Sequence, residues 1–546
     1  MGALIAGISG MKAHQKMIDV AGNNLANLNT TAYKSSRVTF SELFSETLRE
    51  ASQSTGSVGG TNPMQIGSGV GVSSIGKNMT QGSMVNTGQS LDMAIEGDGF
   101  FTLNDGKQDV YTRAGSFAVD SNFNLVDPTT GCRVQRIGSE GLSDGFQSAI
   151  NNDIRIPYDI ALPATSTENI TYTGNLSADD NTPGTNHLSC LIDYTKDGTA
   201  VFDDALIADM DQATGIVDGD QITIAGTDRD GNAVNTSLTI TAATTTVGDL
   251  LTAISTAFSG STATIINGNI RLVDDASGYS QTDLNLGFSG TGSLETPAYF
   301  EVLGAGGQAV KNTNIEIFDS RGVSRTLSAS MVKTDTTNMW DMVLTSVGDN
   351  VEVVDRRIKG ITFLSDGSYG GIGGATPDTS TFQLRFGHDP NNTRTININL
   401  GTVGKFDGLT QFGGSSTMAP GGQDGYASGW LSSVSVTSEG IISGTFTNGM
   451  RRDIAAIKLA TFQNPAGMES IGNNYYISSG NSGTPVCSKA MTGTAGAING
   501  MSLEKSNVQV AEEFVNMIQA QNGFQANART ITVANEMLKE LTNLIR

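Results

Sequence analysis

At 546 residues the chain is too long for one core of ordinary size and divides most naturally into three to five domains. Sixty-seven glycines, charged residues at only 16% and abundant Thr, Ser and Asn mark a turn-rich, mostly β protein, and 38% apolar content is too high for a disordered chain. The net charge of −22 argues against nucleic acid as a partner, and three scattered cysteines (Cys132, Cys190, Cys487) with three histidines form neither a disulfide framework nor a metal-ligand spacing.

The chain opens on a helical stripe. Leu4, Ile8, Met11, Gln15, Ile18, Gly22 and Leu25 follow one another by +4 and +3, which places them on one face. No basic segment precedes the stripe and no small-residue cleavage site follows it, so a cleaved signal peptide is not expected. Next comes Gly22-Asn23-Asn24-Leu25-Ala26-Asn27-Leu28-Asn29-Thr30-Thr31, then Ala32-Tyr33-Lys34. Asparagine amides cap backbone groups and tolerate left-handed conformations, which suits a helix end. The run is denser than capping alone requires, so a role in assembly is expected for Asn23, Asn24, Asn27, Asn29 and Thr30.

Residues 31–75 read as an extended linker; Gly67, Gly69 and Gly71 lack the third glycine of a dinucleotide loop. Residues 76–155 and 425–505 read as one inner β domain in two pieces, with Asn448-Gly449 marking a hairpin between strands 441–447 and 454–462. Everything between is then an insertion. Residues 156–190 with 306–424 are expected to form an outer β domain, and 191–305 a further β module with one short helix (247–258) and a hairpin at Asn267-Gly268. Asp228-Arg229-Asp230-Gly231 is a turn and not a calcium loop, because its glycine is misplaced and Thr239 stands where a glutamate is needed.

The C-terminal segment repeats the opening pattern at greater length. Val510, Phe514, Met517, Gln521, Phe524, Ala528, Ile531, Asn535, Leu538, Thr542 and Ile545 keep the same alternation, eight of eleven being apolar. Ser506 or Asn507 is placed to cap this helix, and Glu512 and Glu513 lie near its positive end. At about 1.5 Å per residue it is roughly 55–60 Å long. Two partners are available for such a stripe: the opening helix of the same chain, and helices of other copies. The plain alternative is an antiparallel coiled coil closing a monomer, but terminal elements order poorly unless docked, and two greasy ends around a long β body make a polymerisation device. No apolar run approaches the ~20 residues that span a bilayer, so membrane insertion is not expected. The fold class is mixed and mainly β: an α-helical terminal coiled-coil domain (1–30 and 507–546) plus several β-rich domains inserted one within another.

Four motifs resemble the flagellar rod and hook axial family. The run 22–34 is similar to that family's N-N-[IL]-A-N-x-[ND]-T-x-G-[FY]-K, departing at Ala32 where glycine is usual. Leu91-Asp92-Met93-Ala94-Ile95-Glu96-Gly97-Asp98-Gly99-Phe100-Phe101, continuing to Phe117, is similar to its shared β domain. Gln423-Asp424-Gly425-Tyr426 and the run from Ser506 through Phe524 to Ile531 complete the set, in the family's order over roughly 1–155 and 420–546. The resemblance implies a structural subunit with no catalytic, cofactor or metal residues. It further implies export through the flagellar apparatus to the cell exterior without a cleaved signal. The copies would assemble into a hollow flexible tube that passes torque from rod to filament. Its partners would be further copies, a hook cap, the distal rod and the hook-filament junction proteins. Rod subunits are typically shorter and lack two inserted outer domains, so the length points to the hook. A distal rod subunit remains the alternative, and a β-rich secreted adhesin a more remote one. Some family members crosslink through cysteine and lysine; Cys190 or Cys132 would be the candidate here, a buried inert thiol being the plainer reading.

Overall fold

Strand-length alternation dominates the sequence, and the computed structural model is accordingly mainly β. It describes residues 2–544 except 55, 57, 180–181, 349–350 and 374–379. Its α-helices among the described residues are α1 (Gly2–Ala26), α2 (Val247–Ala257) and α3 (Val510–Leu544). The chain divides into two compact units, Met1–Leu162 with Gly429–Arg546, and Pro163–Ser428.

In the first unit both chain ends meet. After α1 the chain turns at 27–35 and enters a two-stranded ribbon. β1 (Ser36–Glu42) pairs antiparallel with β4 (Val70–Lys77), and β2 (Ser45–Arg49) with β3 (Met64–Gly67). Residues 31–75 are therefore not a plain extended linker. The strands escape a reading by alternation because nearly all of their side chains are exposed on both faces. Beyond the ribbon, Met84–Asn86 pairs with Ser502–Glu504 and Met93–Glu96 with Ala497–Gly500, so N- and C-terminal pieces build the same β body.

That body is a nine-stranded sheet centred on Phe100–Asn104 and a four-stranded sheet of Arg136–Ile137, Arg451–Ile457, Ile441–Phe446 and Leu431–Val436. Asn448-Gly449 does turn a hairpin, between Ile441–Phe446 and Arg451–Ile457. The expected strand 454–462 breaks at Lys458, and its second part, Leu459–Thr461, joins the larger sheet. Phe101, Leu103, Val134, Ile454 and Leu459 are buried, and Tyr111 meets Phe462 edge to face at 4.9 Å.

In the second unit a five-stranded sheet (Val310–Phe318 through Tyr369–Ile372) packs over one core with a six-stranded sheet that contains Asn169–Ser177 and Arg394–Asn399. Trp340, Tyr172 and Phe382 fill it. Residues 191–305 do not form an isolated module. The strands Ser324–Lys333 and Met339–Ser346 show Met331 and Met342 to the first core, while Val332 and Val343 point the other way. Those two valines join Ile222, Leu250, Ile254 and Phe300 in a second core roofed by α2. Thr246 and Asp249 cap α2 reciprocally. Asn267 and Gly268, both with positive φ, turn the hairpin between Ser261–Ile266 and Asn269–Asp274.

Candidate self-assembly surface at the chain ends

The two end helices pair antiparallel through their smallest residues. A Cβ added at Gly7 would stand 3.0 Å from Ile531, and one at Gly10 would stand 2.7 Å from the Asn527 amide. One added at Gly523 would strike the ring of His14. Ala13, Ala21 and Ala520 are buried in the same seam. At each of these contacts a glycine on one helix receives a side chain of the other, so the two backbones approach closely.

The expected stripe is thus rotated from the real seam. Gly7, Gly10, Ala21 and Asn24 each lie one residue, about 100° of turn, from Ile8, Met11, Gly22 and Leu25. Leu4, Met11, Ile18 and Leu25 are half-buried, and Ile8 is 43% exposed. On α3, Val510, Met517 and Ile531 are half-buried, whereas Phe514, Phe524 and Leu538 are 48%, 37% and 49% exposed. Ile545 lies outside the described residues. Ile5, Val515, Ile518, Val533 and Leu541 add to the uncovered apolar surface of the pair. The ribbon covers a further part of α1: the Val70 amide donates to Ser9 Oγ at 3.3 Å, and Gly69 (φ +122°) abuts Ser9 and Ala6 where a side chain would collide. Phe40, Leu43, Phe44 and Ile66 on that ribbon are themselves exposed.

The asparagines hold the chain to itself. Buried Asn24 donates to Ser36 O and to Glu513 Oε1, both at 2.8 Å, and accepts from the Ser36 amide at 2.9 Å. One amide therefore ties α1, β1 and α3 together. Asn23 donates to the Tyr33 hydroxyl at 3.1 Å, Asn27 to Asn23 O at 2.9 Å, and Thr30 to Asn27 Oδ1 at 3.1 Å; Asn29 is exposed. Asn507 does not cap α3, which starts at Val510. It accepts from the Ser35 amide at 2.8 Å and donates to Asn78 O at 2.9 Å. Ala32, at the motif's departure from glycine, holds φ +56°, and its amide donates to Glu504 O at 2.8 Å.

Beside this knot lies a charge cluster that sequence spacing could not reveal. Lys34 Nζ bonds Glu504 Oε1 at 2.7 Å with both side chains fully buried, and Arg113 stands 3.6 Å from the other carboxylate oxygen. Lys34 also donates to Thr80 O at 2.8 Å, and the Gly82 amide donates to Glu504 at 2.7 Å. Burial pulls the Lys34 ammonium below the usual lysine value, and the Glu504 carboxylate opposes that pull. The cluster fastens segments 32–34, 80–82 and 504 where the helices join the β body.

Cys132 and Cys190 are buried and Cys487 is exposed, all three unpaired; burial pushes the Cys190 thiol up to about 11. Among the described residues no three His, Cys, Asp or Glu side chains gather as a metal site, and no helix is long and apolar enough to cross a membrane.

Known proteins match along the whole chain. Family profiles described as "Flagella basal body rod protein" (residues 4–34), "Flagellar hook protein FlgE/F/G D1 domain" (94–178), "Flagellar basal body protein FlaE D2 domain" (289–426) and "Flagellar basal body rod FlgEFG protein C-terminal" (500–544) fall in order. They define a flagellar axial protein of the rod and hook class. Flagellar hook protein FlgE of Borreliella burgdorferi is 31% identical over 550 residues, spanning 100% of this chain and 99% of that one. FlgE of Treponema pallidum is 30% identical with 100% of both chains covered. A crystal structure of Helicobacter pylori flagellar hook protein FlgE2 aligns at TM-score 0.40 and 17% identity, over 76% of this chain and 99% of that one. The chain belongs to the flagellar hook protein family, whose members are structural proteins of the flagellum.

Proposed function

We propose that copies of this chain polymerise through the uncovered faces of α1 and α3 into the hollow, bendable tube that carries torque from rod to filament. The carrying observation is that the helices spend small residues on each other and leave large apolar ones, Ile8, Phe514, Ile518 and Phe524 among them, facing outward. An apolar surface of that extent left in water calls for a partner, and in a homopolymer the partner is the next copy. Assembly residues on this reading are Leu4, Ile8, Met11, Ile18 and Leu25 with Val510, Phe514, Met517, Phe524, Ile531, Leu538 and Ile545. Asn23, Asn24, Asn27, Asn29 and Thr30 set the helix ends against the ribbon.

The β units face outward and slide during bending. Residues 191–305 hold sixteen acidic and three basic side chains, and such like charge keeps neighbouring copies from locking together. Export through the flagellar apparatus without a cleaved signal, and contact with the hook cap, the distal rod and the hook-filament junction proteins, belong to the same reading. Electron microscopy of the purified chain under polymerising conditions tests it. Tubes with a central channel are expected; particles that stay single at every concentration and salt contradict it.

A further inference from the structure

Within the inserted segment one strand edge is left open beside α2. β5 (Gln221–Thr227) lies between β6 (Ala233–Thr239) and β7 (Asp283–Ser289), so among the described residues β6 has a neighbour on one side only. The Asp228 amide donates to Asn232 O, and the Ile240 amide to Asp220 O. With a period of two between them, Val234, Thr236 and Leu238 bond to β5, and the N–H and C=O groups of Ala233, Asn235 and Ser237 point away from it. No described group bonds them there. Exposed edges ordinarily carry lysine, proline or a bulge that discourages a further strand. β6 has none of these: its seven residues are uncharged and pair with β5 in unbroken register.

Between this edge and α2 runs a cleft of about 710 Å³, within the range of peptide-sized sites. A short connection, 240–246, joins β6 to α2, so the helix runs back along the strand. Val234 and Leu238 from the strand and Ala253 and Ala257 from the helix form a half-buried floor over the second core. The two alanines leave room above that floor for side chains of valine size. Asp228 stands at the Ala233 end and Asp249 at the Leu238 end, roughly 20 Å apart along the strand, and no described lysine or arginine lines the cleft. Arg229, next to Asp228, is turned instead to Ala276 O and Ser277 O. Asp249 uses Oδ2 to cap α2, accepting from the Thr246 amide at 2.9 Å, and its Oδ1 is open to a cation.

We infer that this cleft takes an extended segment of another protein as an added strand on β6, about six residues long, β-branched at its inward positions and basic at both ends. The open main chain of Ala233, Asn235 and Ser237 holds it in register, the floor receives its alternate side chains, and Asp228 and Asp249 pair with its terminal cations. Charge selects against a second copy, which would bring its own net −22 to an acidic cleft. The inference goes beyond the assembly reading and does not depend on it.

The probe is a fluorescent Lys-Val-Thr-Val-Thr-Lys peptide added to the unassembled full-length chain. Its controls are Glu-Val-Thr-Val-Thr-Glu and a fully N-methylated Lys peptide, which cannot donate main-chain bonds. Fluorescence anisotropy should show saturable binding of the Lys peptide, binding of the Glu peptide at least about tenfold weaker, and none of the N-methylated form. Ala253→Phe, which fills the floor, should weaken the Lys peptide about tenfold or more. At saturation, amide exchange across 233–239 should slow at least about fivefold while 310–318 stays as it was. That reading is taken on the unaltered chain, so it decides even where the variant fails to fold. No binding of the Lys peptide, equal affinity for the Lys and Glu peptides, or unchanged exchange across 233–239 overturns the inference. Slowed exchange there on assembly of the chain alone makes the occupant a second copy and overturns it too.

Discussion

Glycine positions on α1 separate the seam from the open face, and they predict opposite effects for similar substitutions. Nothing lies within 4 Å of a Cβ added at Gly22, so Gly22→Ala should simply collect the helix propensity difference, about 1 kcal/mol. At Gly10 the same atom would stand 2.7 Å from Asn527, inside van der Waals contact, and Asn527 is held by its own bond to Gly523 O at 2.8 Å. Gly10→Leu adds three further carbons with no space for them. Overpacking of this kind costs about 1–3 kcal/mol, which cancels or exceeds the gain in propensity. Amide hydrogen exchange of peptides covering residues 2–26 and 510–535 in the unassembled chain reads both effects, 1 kcal/mol being about fivefold in rate. Gly22→Ala should slow exchange about fivefold in α1. Gly10→Leu should speed it in α1 and α3 together. If Gly10→Leu slowed exchange as Gly22→Ala does, the small-residue seam would be refuted.

Further outcomes follow from the buried groups and the cysteines. Lys34→Met or Glu504→Gln should each lower unfolding stability by about 3–5 kcal/mol. The double variant should lose less than their sum by about 1–3 kcal/mol in a denaturant cycle, whereas additive losses would mean the buried pair is not formed. Burial pushes Tyr111 and Tyr476 up to about 12, so their contribution is complete below pH 10 and disappears as pH rises from 10 through 12. Lys34, with its value lowered, acts the opposite way and only below about pH 10.5. The urea midpoint should therefore fall between pH 10 and 12, and a flat midpoint would count against this burial. Finally, Cys487 should react with a thiol reagent in the native chain while Cys132 and Cys190 react only in denaturant. Assembled material boiled in reductant should run as monomer; a surviving ladder would show a crosslink that these buried thiols do not favour.

Much of the plan could be read in advance, and its failures have physical causes. Both end helices announce themselves by +3/+4 spacing, but their contact face does not. Periodicity weighs large apolar residues, and Gly7, Gly10 and Gly523 carry no such weight although they form the seam. The ribbon strands β2 and β3 were hidden because a strand exposed on both faces has no alternation to display. The density of asparagines at 23–29 pointed to a role in assembly, whereas Asn24 meets Glu513 of the same chain across 489 residues, and Lys34 meets Glu504 across 470. No local pattern encodes such pairings. Likewise Val332 and Val343 alternate as any strand residues do, and only the packing assigns their face to the inserted segment.

The most direct measurement concerns the outward face alone. Ile8→Ser, Phe514→Ser and Phe524→Ser, combined in one chain, leave the glycine seam and the Asn24 knot untouched. Each side chain is already about half exposed, so covering it contributes roughly 1 kcal/mol, and losing three should raise the critical concentration for tube formation by about 100-fold or more. Hydrogen exchange in the unassembled chain should stay as it was. A critical concentration that does not move would contradict assembly through these helices.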